Sequence, residues 1–152
     1  MKNFLVKFLA SGAYAGYSPV APGTVGTLWG AAIVFFLKGV SPYSYAAITA
    51  AVTLASIYLA GQAIEIYAKK DPPHVVCDEI SGYLVSFFLM PFSFFNIILL
   101  FLLFRIFDIL KPYPAGAIDE RLPGGAGVVL DDVASGVYAN IAAHLIIWFI
   151  KG

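Results

Sequence analysis

Five of the nine acidic residues in this chain fall in three short motifs, Asp78-Glu79, Asp108 and Asp131-Asp132. They interrupt a sequence that is 61% hydrophobic and only 12% charged. Carboxylates in such company are costly unless paired, hydrated or bound to a metal. Their oxygens are the ligands Mg²⁺ prefers, with water and substrate phosphate completing its octahedron. Arg105, Asp108 and Lys111 follow one another at i, i+3 and i+6 in FRIFDILKP. That spacing sets them along one face of a helix, which Pro112 then ends. Guanidinium and ammonium groups both stabilise phosphate charge. Together these residues suggest a site that handles Mg²⁺ and phosphate at a membrane surface, with Asp108 serving metal or water and Arg105 and Lys111 serving phosphate.

Each motif also has a plainer reading. An acid pair at a helix start complements the helix dipole, and an i, i+3, i+6 run is an intrahelical ion-pair row with Arg and Lys reaching for the interface. The co-occurrence of two acid pairs with Asp108 at one predicted end is what favours a shared metal site. Ser18 to Thr27 forms a rigid, glycine-containing approach to a helix with Thr24 as its N-cap. Free backbone N–H groups there suit an anion, although a capped turn explains the segment equally well. It is no Walker A loop, because the Gly-Lys-Ser/Thr element is missing. Gly124, Gly125 and Gly127 read as a loop, either folded over the site or simply flexible.

The remaining polar residues read more simply. Cys77, the single cysteine, is a small buried hydrophobe rather than a nucleophile. His144 and Asn140 share a face of the last helix. His144 lies about 18 Å along it from Asp132, so packing or an interhelical hydrogen bond is its expected use. His74 reads as a surface residue, Glu65 as a supporting partner of the acids, and Asp119, Glu120 and Arg121 as an exposed loop run.

These groups must be positioned by helices. The start, MKNFLVKFLASGAYAG, imitates a signal peptide, but Lys7 breaks its apolar core. Phe4, Leu5, Phe8 and Leu9 lie on one helical face with Lys2, Asn3 and Lys7 largely opposite, which predicts a short amphipathic helix at the interface. Apolar runs follow at Thr24 to Lys38, Tyr43 to Ala68, Ile80 to Leu110 with a break at Met90-Pro91, and Val133 to Ile150. Gly39 to Pro42 makes one turn, and Lys111 to Leu130 reads as a Gly/Pro-rich loop. Ala47, Ala51 and Ala55 recur every four residues, as do Ser56 and Ala60, a spacing that lets membrane helices approach closely.

The Pro91 break decides the topology. A straight helix from Tyr83 to Phe104 would span the roughly 30 Å hydrocarbon core and put Asp78-Glu79 and Asp108 on opposite sides. A reversal near Pro91-Phe92 returns them to one side, with a first arm of about 18 Å, too short to cross. The expected fold is all-α: one domain over residues 1–152, a compact bundle of about six helices in hairpins, membrane-associated or membrane-embedded. Its motifs converge at one end. Lys69, Lys70, Arg105, Lys111 and Arg121 gather there, so the positive-inside tendency makes that end cytoplasmic. The formal net charge of zero argues against a nucleic-acid partner.

Four segments, GYSPVAPGTVGTLWG, VVCDEISGYLVSF, FRIFDILKPYPAG and GGAGVVLDDVASGVYAN, occur in an order that resembles the phosphatidylglycerophosphatase A family. The resemblance runs from about Gly12 to Asn140. It implies a Mg²⁺-dependent phosphatase of a bacterial inner membrane, converting phosphatidylglycerophosphate to phosphatidylglycerol in contact with the bilayer. It puts the family's acid motifs on Asp78, Glu79, Asp108, Asp131 and Asp132, and its basic helix end on Arg105 and Lys111. The expected roles are metal binding by Glu79, Asp131, Asp132 and Asp78, catalysis by Asp108, Asp78 and Lys111, and phosphate binding by Arg105, Lys111 and Thr24. A homo-oligomer is compatible with the sequence. The alternatives are a phosphatase for another phosphate ester, or a non-enzymatic membrane protein that binds a divalent cation.

Overall fold

A computed structural model describes residues 2–151, which are all-helical. The helices are α1 (Lys2–Ala10), α2 (Pro22–Phe36), α3 (Pro42–Tyr67), α4 (Cys77–Ser86), α5 (Phe94–Leu110), α6 (Ala115–Arg121) and α7 (Gly124–Lys151), with a 3-10 turn at Ala15–Tyr17. Local chemistry sets several of the boundaries. Ser41 caps α3 by accepting from the Ser44 N–H, with Pro42 at the first helical position. Ser93 caps α5 by accepting from the Asn96 N–H at 3.1 Å. Lys111 ends α5 in a left-handed conformation just before Pro112.

The reversal expected at Pro91 is present. Leu89 adopts φ 60° between α4 and α5. Asn96 Nδ2 donates to the Pro91 carbonyl at 2.7 Å, and the Tyr83 hydroxyl donates to the Ile97 carbonyl at 2.8 Å, pinning the hairpin. Helix α4 is therefore a short central post, surrounded by α2, α3, α5 and α7. It is buried on nearly every side, with Tyr83 and Leu84 fully enclosed beside Leu100 and Phe104.

Helices α4 and α7 cross backbone against backbone. A Cβ on Gly136 would lie 2.2 Å from the Gly82 carbonyl oxygen, and one on Gly82 would lie 2.6 Å from the Asp132 carbonyl oxygen. Only glycine permits that approach. Asp78 is four residues before Gly82, and Asp132 four before Gly136. The crossing therefore brings the two acid motifs together one turn away from the contact.

Three expectations need correction. The segment Lys111 to Leu130 is not a loop: it holds α6 and the first two turns of α7, which brings the expected bundle of about six helices to seven α-helices among the described residues. Tertiary contact overrides the weak helix propensity of Gly124, Gly125 and Gly127, with Gly125 lodged against Ile57 and Gly61 of α3. Asp131-Asp132 thus sits inside α7, not at its start. Of the small residues on α3, Ser56 and Ala60 are buried, whereas Ala47, Ala51 and Ala55 face outward.

Helices α3 and α7 are long and apolar enough to cross a membrane. Exposed apolar rows run along α5 (Ile98, Leu102, Ile106, Ile109) and α7 (Val137, Ile141, Leu145, Trp148). Phe4, Leu5 and Leu9 of α1 are exposed while Val6 and Ala10 are buried, so the predicted interfacial face is outermost. A water-soluble surface does not carry apolar area on this scale, and the protein is membrane-associated.

Candidate active site

The motifs converge in a cleft of about 260 Å³ at one end of the bundle, lined by Gly23, Asp71, Asp78, Glu79, Arg105, Asp108, Lys111, Asp119, Asp131 and Asp132 among others. Helix α4 supplies Asp78 and Glu79 from its first turn, so the helix-start reading and the site reading both hold. Helix α5 delivers Arg105 and Asp108, and α7 delivers Asp131 and Asp132.

Ligand oxygens of Asp78, Glu79 and Asp132 lie within 4.8 Å of one another. Asp78 and Asp132 are 7% and 4% exposed. Asp78 Oδ1 and Glu79 Oε2 are enclosed and accept no hydrogen bond from any described residue. Buried carboxylate oxygens without a donor are costly, and a cation among them removes that cost. The donor set is all oxygen, which fits a hard divalent ion such as Mg²⁺. Burial and the neighbouring Glu79 charge push Asp78 well above the usual carboxylate range. Burial likewise pushes Glu79 up to about 8, with Asp132 and Asp108 adding to the rise and Arg105 opposing it.

Asp131, expected among the metal ligands, is engaged otherwise. Its Oδ2 accepts from Lys111 Nζ at 2.6 Å and its Oδ1 from the Asp132 N–H at 2.9 Å. Lys111 also donates to Asp119 Oδ2 at 3.0 Å. Burial lowers the Lys111 pKa, but the bonds to Asp131 and Asp119 outweigh it, and the ammonium is held in its charged form. Arg105 Nη1 donates to Asp108 Oδ2 at 2.6 Å. Of the expected row, Arg105 and Asp108 form an ion pair while Lys111 pairs with acids of α6 and α7, and all three line the cleft.

Thr24 is not the N-cap of α2. The helix begins at Pro22 with Ala21 in the capping position, and the residues of this segment that line the cleft are Ala21, Pro22 and Gly23. A Cβ on Gly23 would lie 2.2 Å from Glu79 Oε1 and 3.1 Å from Arg105 Nη1. Glu65 is exposed and does not line the cleft. His74 is no bare surface residue: its ring stacks on Tyr17 at 4.3 Å, and its Nδ1 lies 3.2 Å from the Gly16 carbonyl oxygen. Cys77 is buried, as expected, and burial raises its thiol pKa, which removes it as a nucleophile. His144, for which packing or an interhelical bond was expected, is exposed, and its Nδ1 lies 3.0 Å from the Asn140 carbonyl oxygen within α7; it is Asn140 that reaches across, donating to the Ser86 and Phe88 carbonyls at 2.8 Å each. Asp71, Asp119 and Gly23 are the cleft residues that the sequence reading missed. Asp119 read as part of an exposed run with Glu120 and Arg121, and its contact with Lys111 across the Pro-rich turn is visible only in the fold.

A lipid-facing helical bundle with a carboxylate-rich, cation-punctuated cleft at one end defines the class: a membrane-associated helical protein built to meet a polar, phosphate-like group at the bilayer edge. A family model described as phosphatidylglycerophosphatase A matches residues 8–147, and the chain belongs to that family. It is 34% identical to phosphatidylglycerophosphatase A of Haemophilus influenzae, covering 93% of this chain and 88% of that one. It is 33% identical to phosphatidylglycerophosphatase A of Escherichia coli, covering 85% and 76%. It is also 35% identical, over 97% of both chains, to a Bacteroides thetaiotaomicron protein that carries a provisional phosphatidylinositol-3-phosphatase name. No solved structure matches.

Proposed function

We propose that this chain is a Mg²⁺-dependent phosphatase that hydrolyses phosphatidylglycerophosphate to phosphatidylglycerol and phosphate. The observation that carries the metal dependence is the Asp78, Glu79 and Asp132 cluster, in which the buried Asp78 Oδ1 and Glu79 Oε2 accept no hydrogen bond from a described residue. These three residues would hold the ion. Bound there, Mg²⁺ supplies charge neutralisation and Lewis acidity toward the phosphate oxygens. Lys111 and Arg105 provide cationic donors at the cleft wall for the equatorial oxygens of the transferring phosphoryl group. Asp108, already fixed by Arg105, orients the attacking water. The acyl chains remain in the bilayer, and only the headgroup reaches the carboxylates.

The test is phosphate release from phosphatidylglycerophosphate in detergent micelles, with Mg²⁺ and with chelator, for wild type and Asp132→Asn. Metal-dependent release that the substitution abolishes, with the fold retained, supports the reading. A covalent aspartyl-phosphate trapped on Asp108 would replace the water route by direct attack. The name of the Bacteroides relative favours a second substrate, phosphatidylinositol 3-phosphate, which belongs in the same assay. Faster release from that lipid would move the assignment to it.

The proposed location is a bacterial cytoplasmic membrane with the cleft facing the cytoplasm. Lys69, Lys70, Arg105, Lys111 and Arg121 all lie on segments bordering the cleft end, whereas Lys38 lies by the α2–α3 turn at the other end. A membrane-impermeant maleimide should label Lys69→Cys in inside-out vesicles and spare it in right-side-out ones.

A further inference from the structure

We infer that Asp119 is a positioning residue for Lys111, holding its ammonium at the cleft wall for contact with the substrate phosphate; the inference rests on the phosphatase reading above. An ammonium has three donors. Two of those on Lys111 are taken, by Asp131 Oδ2 at 2.6 Å and Asp119 Oδ2 at 3.0 Å, which leaves one for a ligand. The two carboxylates differ in depth. The Asp131 side chain is 4% exposed and the Asp119 side chain 36%. Without Asp119, the deeper carboxylate is the only counter-ion and draws Lys111 inward, away from arriving phosphate.

Helix α6 is built to hold Asp119 there. A Cβ on Gly116 would lie 2.8 Å from the Lys111 carbonyl oxygen, so α6 starts directly against the Lys111 backbone. On its outer side, Lys70 Nζ donates to the Asp119 carbonyl at 2.7 Å, tethering α6 to the α3–α4 connection. A partly exposed ion pair contributes little to stability. The value of the Lys111–Asp119 pair is therefore geometric, and misplacement of a catalytic contact by about 1 Å can cost up to a hundredfold in rate.

The experiment is a double-mutant cycle on kcat and KM, using Asp119→Ala, Asp119→Asn, Lys111→Ala and the Asp119→Ala/Lys111→Ala pair, with Glu120→Ala as control. Asp119→Ala should lower kcat about tenfold with KM changed less than about twofold. Asp119→Asn keeps an oxygen acceptor and should recover most of the loss. Glu120→Ala, an exposed neighbour on α6, should retain wild-type kcat, and Asp119→Ala should cost nothing further once Lys111 is gone. Wild-type kcat in Asp119→Ala would overturn the inference, as would an equal further loss in the Lys111→Ala background. So would an Asp119→Asn variant as impaired as the alanine one, with a lowered melting temperature in both. If wild type hydrolyses a different phosphate ester, the substrate proposed above fails and the same cycle is run on that ester. If it hydrolyses none, the phosphatase reading fails. Protection against thermal unfolding by inorganic phosphate with Mg²⁺ then decides the role of Asp119. Protection must be weakened by Asp119→Ala only while Lys111 is present, and any other pattern rejects it.

Discussion

Glu79 is confined from two directions: by its own helix, and by the backbone of Gly23 at the start of α2, which leaves no room for even a methyl group beside Oε1. Gly23→Ala should therefore displace the Glu79 carboxylate rather than unfold the chain. The expected result is a loss of about ten- to hundredfold in Mg²⁺ affinity, the range for disturbed support of a metal ligand, read by Mg²⁺ titration of activity beside a nearly unchanged melting temperature. The proton balance of Glu79 gives a second prediction. Its pKa is about 8 in the folded protein against about 4.3 in an unfolded chain. Over that interval the folded state binds more protons, so the metal-free protein loses stability as pH rises from about 4.3 through about 8. Thermal melts in chelator should show a falling midpoint across that range, and Mg²⁺ added at pH 8 should restore it. The acids themselves were legible because carboxylates are rare in so apolar a sequence. Gly23 and Asp119 were not, because what distinguishes each is a neighbour from another segment: Glu79 for one, Lys111 for the other. The contact that Asp131 makes with Lys111, twenty residues away in sequence, was hidden for the same reason.

At the scale of elements, the site depends on the α4–α7 crossing. Gly136→Ala would force a Cβ into the Gly82 backbone. Overpacking of this kind costs about 1–3 kcal/mol, and here it should also part Asp78 and Glu79 from Asp132. Melting temperature and Mg²⁺ affinity should fall together, in contrast to Gly23→Ala, where only affinity falls. The hairpins were readable because proline and glycine punctuate them: Pro42 starts α3, Pro91 marks the α4–α5 reversal, and Pro112 follows α5. The same logic failed between Lys111 and Leu130. Glycines there signal close helix contact rather than a loop, and a single sequence does not separate those two uses. Thr24 failed likewise, because Pro22 already starts α2 and moves the cap back to Ala21.

For the molecule as a whole, the apolar rows on α5 and α7 predict a separation between anchoring and chemistry. Leu102→Lys, on the exposed face of α5, adds a charge where the chain meets lipid. It should shift protein from the membrane to the soluble fraction while leaving phosphate release in detergent micelles near wild type. Cell fractionation and the micelle assay check the two halves separately. Membrane association was legible from composition. Which surfaces meet lipid was not, since α3 and α7 each carry both buried and exposed apolar residues and only the assembled bundle sorts them.

The glycine crossing also divides α7 into two unequal lever arms. Asp132 stands four residues, about 6 Å, to one side of Gly136, and the helix runs another fifteen residues, about 22 Å, to the other. With the fulcrum so near the carboxylates, a sideways swing at the far tip reaches them reduced about fourfold. Thickening or thinning of the bilayer, which works on the long arm, is geared down before it reaches the chemistry. Turnover in bilayers of short and long acyl chains should accordingly stay nearly level, whereas loosening the fulcrum with Gly136→Ala should make it depend on lipid length.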